Sequence, residues 1–291
     1  MNALLAACRP RQWVKNLFVA APLVFAKRLN DPRTSLRALA AVALFCALSS
    51  AVYLWNDIVD VEKDRKHPIK CKRPIASGRL SIGHARIAAA TLAAGALALA
   101  LLIDWRFAAC AFAYGAINVA YSLKLKHIVY VDVLAIASGF LLRVTGGAFA
   151  ISVWASPFLF LCTGLLASYL GFGKRAHELA AAGDRAAQQR AVLESYRADV
   201  LTAMLLVTGS LTFASYVLYT MAEHTVIFFG TTHMLWTAPF AAFGLYRFYT
   251  LVQAPSGDAP TEEMLKDAPF ILNLLIWAGV TTLIIYFHFR G

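Results

Sequence analysis

Residues 55–79 read WNDIVDVEKDRKHPIKCKRPIASGR, an acidic segment followed directly by a basic one at the end of a long apolar run. Asp57, Asp60 and Asp64 are spaced i, i+3 and i+7, which places the three carboxylates on one face of a helix. Like charges on one face repel one another unless a positive charge lies between them, and a divalent cation with oxygen ligands commonly supplies it. The spacing therefore predicts a Mg²⁺ site, and the Lys and Arg residues that follow predict a diphosphate bound beside it.

An ordinary explanation of this stretch is a helix end whose charged side chains extend into water beside a basic loop. That explanation accounts for the lysines but not for three acids on one face, so we favour the metal site. We expect the three aspartates and Arg65 to act in the chemistry, and Asn56, Lys72 and Arg73 to bind substrate.

The composition indicates an all-α polytopic membrane protein. The 291 residues are 60% hydrophobic and only 15% charged, which is less charge than soluble domains carry. Apolar runs of about 17–23 residues recur, each long enough to cross a bilayer. We predict one domain over residues 1–291 with about nine spans, the first of which carries Pro22 and could instead lie along the membrane surface. The expected spans are 14–29, 36–55, 86–103, 107–123, 132–151, 156–173, 199–221, 232–250 and 270–289.

The net charge of +11 lies mostly in connecting segments. With a cytoplasmic N-terminus, the Lys and Arg residues concentrate on the inner face, although Lys27, Arg28 and Arg33 are exceptions. We therefore expect a multi-pass protein of the bacterial inner membrane, with cap loops near 56–85 and 174–198 facing the cytoplasm. The charge pattern favours anionic ligands and the lipid bilayer as partners over nucleic acid, and a homo-oligomer stays open.

Three further groups of polar residues are candidates for binding. Tyr121, Lys126 and Asp132 join two apolar runs, where lysines can also be plain interfacial anchors. Lys174, Arg175 and Glu178 either form a helix-surface ion pair or hold phosphate. Arg143 lies about 16 Å into a predicted span at the helical rise, and an ionisable residue at that depth is a functional candidate. It could meet an anionic lipid head, a site carboxylate, or a purely structural partner.

The segment NDIVDVEKD at 56–64 resembles the N-D-x-x-D-x-x-x-D motif of the UbiA superfamily of intramembrane prenyltransferases. That resemblance implies a bundle of about nine helices with a cytoplasm-facing cavity, in which Mg²⁺ on the aspartates holds a diphosphate. Further matching segments extend along the chain: RPRQWVKN (9–16), SSAVYLWNDIVDVEKDRKHPIKCKRPIASG (49–78), YSLKLKHIVYVD (121–132), LLRVTGGAFA (141–150), GKRAHEL (173–179) and LESY (193–196).

Those segments are most similar to the branch of the superfamily that transfers 5-phosphoribosyl from phosphoribosyl pyrophosphate to a polyprenyl phosphate of decaprenyl type, a step toward a lipid-linked pentose donor for cell-envelope polysaccharide. Many superfamily members carry a second D-x-x-x-D motif, whereas GKRAHEL has one acid and two strong bases in the matching loop. For that reaction, our hypothesis is that Lys126, Lys174 or Arg175 holds the donor's 5-phosphate. We further expect that Lys15, with Asn16 beside it, or Arg143 binds the acceptor phosphate.

Two other functions fit parts of the sequence. A prenyltransferase that uses a prenyl diphosphate donor and an aromatic or glycerol-phosphate acceptor would share the first motif and the fold. A lipid transporter is less consistent with the sequence, because transporters of repeat type show two related halves and no convincing internal repeat is present.

Overall fold

A computed structural model describes residues 2–182, 193, 195–254 and 259–287 of the chain. These residues form helices joined by short connections, with no strand among them. The expected all-α class is therefore confirmed. The chain separates into two compact units, Met1–Leu125 with Ser138–Ala155, and Lys126–Ala137 with Ser156–Gly291.

The first unit is built around one long helix, α3, which contacts the 3-10 helix near the N-terminus, α5 and α6. The elements of this unit, in chain order, are α1 (Ala3–Ala7), a 3-10 helix (Pro10–Ala20), α2 (Ala21–Phe25), α3 (Pro32–Val59), α4 (Val61–Lys66), a 3-10 turn (Lys70–Lys72), α5 (Ile82–Ile103), α6 (Trp105–Leu123) and the later part of α7 (Val131–Ala150).

Short polar side chains set the starts of the long helices in this unit. Asp31 accepts hydrogen bonds from the backbone N–H groups of Arg33 and Thr34 at the start of α3. Ser81 caps α5 and Asp104 caps α6 in the same way. Such caps satisfy amide groups that have no partner inside the helix, so the sequence marks these boundaries locally.

Small residues let α5 pack closely on α3. The buried positions of α5 are all alanines, and Ala96 and Ala100 join a core with Phe45 and Leu48 of α3 and Phe107 of α6. Small side chains favour close helix packing in membranes, where there is no hydrophobic driving force between helices. Nearer the C-terminal end of α3, which carries Asp57, Ala85 and Ala89 of α5 share a second core with Leu54 and Ile58.

The second unit contains the first part of α7 and the C-terminal helices. Its core joins Val133 of α7, Tyr169 and Phe172 of α8, and Leu201 and Leu205 of α9. The elements that follow α7 are α8 (Pro157–Ala182), α9 (Ala198–Met221), α10 (Glu223–Phe229), a 3-10 helix (His233–Thr237), α11 (Ala238–Gln253), α12 (Pro260–Glu263) and α13 (Ala268–Phe287).

The expectation of nine spans is not confirmed. Within the described residues, six helices are long and apolar enough to cross a membrane, namely α3, α5, α7, α8, α9 and α13. A seventh span is possible if Glu223–Phe229 and His233–Gln253, which meet at 99°, count as one. The expected span at 14–29 is instead the 3-10 helix followed by the five-residue α2, and α6 is not among the six.

The two expected cap loops differ from simple loops. Residues 56–85 contain the end of α3, all of α4 and the turn at Lys70–Lys72 before α5 begins. The loop expected from residue 174 begins within α8, which continues without a break to Ala182. Residues 183–192 and 194 of that expected loop lie outside the described residues.

Candidate active site

The aspartate segment keeps a helical path across the junction of α3 and α4. The Asp60 N–H donates to the Asn56 carbonyl at 2.9 Å, and the Asp64 N–H donates to the Asp60 carbonyl at 2.8 Å. Asp57 and Asp64 are buried, with 2% and 4% of their surface exposed. Asp60 ends α3 with φ −93° and ψ 5° and is partly exposed.

A single arginine joins the two buried carboxylates. Nη1 of Arg73 lies 3.1 Å from Oδ1 of Asp57 and 2.6 Å from Oδ2 of Asp64. Arg73 follows the 3-10 turn, and its own N–H donates to the Lys70 carbonyl at 3.0 Å. The sequence predicted a positive charge between the three aspartates and assigned it to Mg²⁺; the structure places the guanidinium of Arg73 between two of them, Asp57 and Asp64.

Arg9 is a functional candidate that sequence reasoning missed. Its Nη2 donates to the same Oδ1 of Asp57 that Arg73 contacts, and its guanidinium lies 5.2 Å from the ring centroid of Tyr53. The pair joins residues 48 positions apart in the chain. The only signal in the sequence was that Arg9 belongs to RPRQWVKN, one of the segments that resembles the superfamily.

The remaining residues predicted in the first segment have different environments. Asn56 accepts a hydrogen bond from the Ser122 hydroxyl of α6. Arg65 pairs with Glu62 at 2.7 Å on the exposed surface of α4, so the structure does not bring it to the buried aspartates. Lys72 is exposed.

His67 shapes the turn between α4 and Arg73. Its Nδ1 accepts hydrogen bonds from the N–H groups of Ile69 and Lys70 at 3.2 and 3.3 Å. Partial burial, assisted by the charge of Lys70, lowers the pKa of His67 below its ordinary value. The neutral ring that results keeps Nδ1 available as an acceptor.

The chemistry of the donors fits Mg²⁺ with help from substrate. Among the residues that the structure describes, no three His, Cys, Asp or Glu side chains converge on one point. Mg²⁺, however, is usually bound by one or two carboxylates together with phosphate oxygens and water. Asp57 and Asp64 supply two such carboxylates, and both lie within hydrogen-bonding distance of the same nitrogen, Nη1 of Arg73.

Arg143 is buried in the first unit among neutral partners. It donates from Nε to Oδ1 of Asn16 at 2.8 Å, from Nη1 to the Gly139 carbonyl at 2.9 Å, and from Nη2 to the Tyr114 hydroxyl at 2.9 Å. Asn16 in turn donates to Ser49 at 3.1 Å. Of the alternatives that the sequence left open, these contacts fit the structural one best. Lys15, next to Asn16, is partly exposed.

The second unit contains its own buried ion pair. Nε of Arg175 lies 2.6 Å from Oδ2 of Asp132, and neither side chain is more than 1% exposed. Nη1 of Arg175 also contacts Glu178 at 2.5 Å. The Tyr196 hydroxyl donates to Oδ1 of Asp132, and burial raises the pKa of Tyr196 above its ordinary value, so the phenol keeps its proton. Tyr196 was noted in the sequence only as part of LESY.

The other predicted lysines are more accessible than Arg175. Lys174 is 37% exposed and lies 3.9 Å from Glu178. Lys126 in the second unit and Tyr121 in the first are both partly exposed. Accessible ammonium groups are better placed than a buried guanidinium to meet a phosphate that arrives from solution.

The long apolar helices define a multi-pass membrane protein. Its candidate site, near the C-terminal end of α3, consists of two buried aspartates paired with arginines. The chain belongs to the UbiA prenyltransferase family, whose model matches residues 16–286, and it is an enzyme of that family. The expected superfamily membership is confirmed.

Three known proteins illustrate the similarity. A curated decaprenyl-phosphate phosphoribosyltransferase of Corynebacterium glutamicum is 32% identical over 98% of this chain and 87% of its own. One of Mycolicibacterium smegmatis is 32% identical over 99% of this chain and 93% of its own. A UbiA homolog from Archaeoglobus fulgidus, solved with DMAPP and Mg²⁺, superposes with a TM-score of 0.72 at 16% identity, covering 97% of this chain and 98% of that one. The last likeness concerns the fold alone.

Proposed function

We propose that this protein transfers the 5-phosphoribosyl group of phosphoribosyl pyrophosphate to a polyprenyl phosphate of decaprenyl type and releases pyrophosphate, with Mg²⁺ as cofactor. The observation that carries the proposal is the buried pair Asp57 and Asp64 joined by Arg73, which combines metal ligands with a phosphate-binding cation. The 32% identity to curated decaprenyl-phosphate phosphoribosyltransferases supports the choice of substrates.

Asp57 and Asp64 would hold the metal together with oxygens of the donor's diphosphate. When bound, Mg²⁺ would neutralise the charge that develops on pyrophosphate as the bond from ribose C1 to oxygen breaks. Arg73 can donate charge-assisted hydrogen bonds to the same diphosphate, because a guanidinium presents several N–H groups in a fixed fork. The electron pair of the broken bond leaves with pyrophosphate.

The reaction needs no strong general base. The acceptor phosphate is already an anion near neutral pH, so one of its oxygens can attack C1 directly. Glycosyl transfers pass through a transition state with oxocarbenium character, and a single displacement inverts the configuration at C1. This fits a site in which Asp57 and Asp64 bind metal and arginines bind phosphate.

In the second unit, Lys174 is a better candidate than Arg175 for a contact with a phosphate group. The guanidinium of Arg175 is enclosed and already paired with Asp132 and Glu178, whereas the ammonium of Lys174 is accessible. We assign Arg175 a positioning role, in which it holds the start of α7 against α8.

The product would be a lipid-linked phosphoribose, and we place its use in the supply of pentose for cell-envelope polysaccharide. Phosphoribosyl pyrophosphate is a water-soluble anion made in the cytoplasm. The proposal therefore includes a site that opens to the cytoplasmic side of the inner membrane. The basic loop around Lys72 and Arg73 agrees with the excess of positive charge on that side.

A direct comparison of donors tests the proposal. Purified protein with Mg²⁺ and a polyprenyl phosphate is incubated with labelled phosphoribosyl pyrophosphate or with a labelled prenyl diphosphate, and the lipid product is identified by mass spectrometry. We expect product and pyrophosphate only from the first donor, and loss of product when EDTA removes the metal. Pyrophosphate release from the prenyl diphosphate alone would refute the assignment in favour of an ordinary prenyltransferase.

Matched variants locate the activity at the proposed site. Asp57→Asn and Asp64→Asn should each lower turnover by at least about a hundredfold, since each removes a ligand charge that stabilises the transition state. Glu62→Gln on α4 is the control, because Glu62 is 74% exposed and its ion pair within the described residues is with Arg65. Equal activity of Asp57→Asn and Glu62→Gln would show that the metal site does not include Asp57.

A further inference from the structure

Arg9 reaches the proposed metal site from a strained position. It precedes the 3-10 helix Pro10–Ala20 with φ 53° and ψ 63°, in the left-handed region. A residue with a Cβ atom adopts this region at a cost, and it persists when the surroundings fix it. Here two contacts of the guanidinium hold the Arg9 side chain, one with the ring face of Tyr53 and one with the carboxylate of Asp57.

Arg9 and Arg73 compete for one oxygen. Both guanidinium groups contact Oδ1 of Asp57, whose side chain is 2% exposed, while the arginines themselves are 30% and 29% exposed. The carboxylates of Asp57 and Asp64 are therefore enclosed, whereas both arginines are partly accessible to solvent. With Asp64 included, two positive charges balance two negative ones.

This balance opposes the entry of a bare divalent cation. Mg²⁺ at Asp57 would bring two more positive charges next to two guanidinium groups in a partly buried place, where repulsion is stronger than in water. A diphosphate changes the balance, because it gives the arginines a new anionic partner as the metal takes the carboxylates. Arg9 has one carboxylate partner where Arg73 has two, so Arg9 is the easier of the two to release.

We propose that Arg9 is an exchangeable counter-ion: it neutralises Asp57 in the absence of metal and transfers to the donor's diphosphate when metal and diphosphate bind together. Metal binding thereby becomes dependent on the diphosphate, which keeps the site from holding metal without substrate. The inference rests on the proposed metal site, and it adds a residue and an order of binding to it.

Metal binding without turnover tests this exchange. Mn²⁺ serves as the probe, and the free Mn²⁺ signal in electron paramagnetic resonance measures its binding to full-length protein in detergent, with and without inorganic pyrophosphate. We expect wild type to bind Mn²⁺ more tightly when pyrophosphate is present. Arg9→Gln should bind Mn²⁺ alone about tenfold more tightly than wild type, a typical size for coupling between two ligands, and should gain less from pyrophosphate.

The chain offers a matched control two residues away. Arg11→Gln removes the same charge two residues further along, in the first turn of the 3-10 helix, and Arg11 is exposed, so the Mn²⁺ affinity of this variant should equal that of wild type. Arg9→Lys keeps the charge and should also bind Mn²⁺ alone as wild type does. If Arg9→Gln does not fold, Arg9→Met, which retains an aliphatic stem against Tyr53, takes its place.

The outcomes separate this inference from the proposed function. If a folded, neutral Arg9 variant binds Mn²⁺ alone no more tightly than wild type, Arg9 is not a competing counter-ion and the inference is overturned. If in addition the donor comparison succeeds, the proposed function still stands. If Asp57→Asn leaves Mn²⁺ binding unchanged, the metal site is elsewhere and the inference about Arg9 fails with it, whereas the donor comparison still decides the proposed function.

Discussion

Arg143 illustrates how single residues decide the interior of the first unit. The guanidinium is 4% exposed, and within the described residues its hydrogen bonds go to an amide, a carbonyl and a phenol rather than to a carboxylate. The ring of Tyr114 also lies 4.5 Å from its central carbon. Because a buried charge is costly unless its donors are satisfied, each of these neutral partners matters for stability.

Removal of the Tyr114 hydroxyl isolates one of these contacts. Tyr114→Phe keeps the ring beneath Arg143 but takes away the acceptor of Nη2, and we expect a loss of about 2 kcal/mol in the free energy of unfolding. Denaturant unfolding in mixed micelles measures the loss. Tyr246→Phe is the control, because Tyr246 is 64% exposed. Equal stability of the two variants would contradict this role of the hydroxyl.

At the scale of elements, the 3-10 helix Pro10–Ala20 brings Asn16 into the interior of the first unit, and Arg9 directly precedes this helix. Its residue Val19 lies against Gly147 of α7. A Cβ atom added at Gly147 would be 1.9 Å from the carbonyl oxygen of Val19. Only glycine allows this approach of two backbones. The position of the 3-10 helix therefore depends on a residue more than a hundred positions later in the chain.

Gly147→Ala should displace the 3-10 helix from α7. We expect a loss of about 1–3 kcal/mol in stability, as for other overpacked sites, and reduced activity because Arg9 and Asn16 move with the segment. Gly95→Ala in α5 is the matched control, since an added Cβ there has no atom within 4 Å. That control should be unchanged or slightly more stable, by up to about 1 kcal/mol from helix propensity. Equal melting temperatures of Gly147→Ala and Gly95→Ala in a thermal-unfolding assay would contradict the role of this close approach.

In the second unit, a buried ion pair holds two elements against each other. Asp132 in the first turn of α7 and Arg175 on α8 lie 43 residues apart and hold the two helices together. Sequence reasoning selected both residues, and it left Arg175 open between an ion pair with Glu178, which the structure contains, and a contact with phosphate. The ion pair with Asp132 could not be predicted from spacing, because local periodicity indicates which residues share a helix face and not which helix packs opposite.

At the scale of the whole molecule, α3 is the element that relates the site to the membrane. Its 28 residues extend about 42 Å at the helical rise, which exceeds the hydrocarbon core of about 30 Å. Asn30 precedes this helix and Asp57 lies near its end. The two ends of α3 therefore belong on opposite sides of the bilayer.

Native Cys71 provides a test of orientation. It lies in the basic loop next to Lys72 and is partly exposed; Cys8 is buried, and its burial raises the pKa of the thiol. If the site faces the cytoplasm, an impermeant maleimide should label Cys71 in inside-out vesicles and not in intact cells. Asn30→Cys in a Cys71→Ser background should show the opposite pattern. Labelling of Cys71 in intact cells would reverse the proposed topology.

The sequence by itself determined the membrane class, most long helices, the starts of several of them and the acidic segment at the end of α3. Each of these follows from local patterns: apolar length, short polar caps, and the spacing of Asp57 and Asp64. Only the tertiary structure decided that Arg9 and Arg73 neutralise those aspartates, that Arg175 pairs with Asp132, and that the first expected span is a 3-10 helix. Partners 48 and 43 residues apart are chosen by packing, and packing depends on contacts that no local pattern contains.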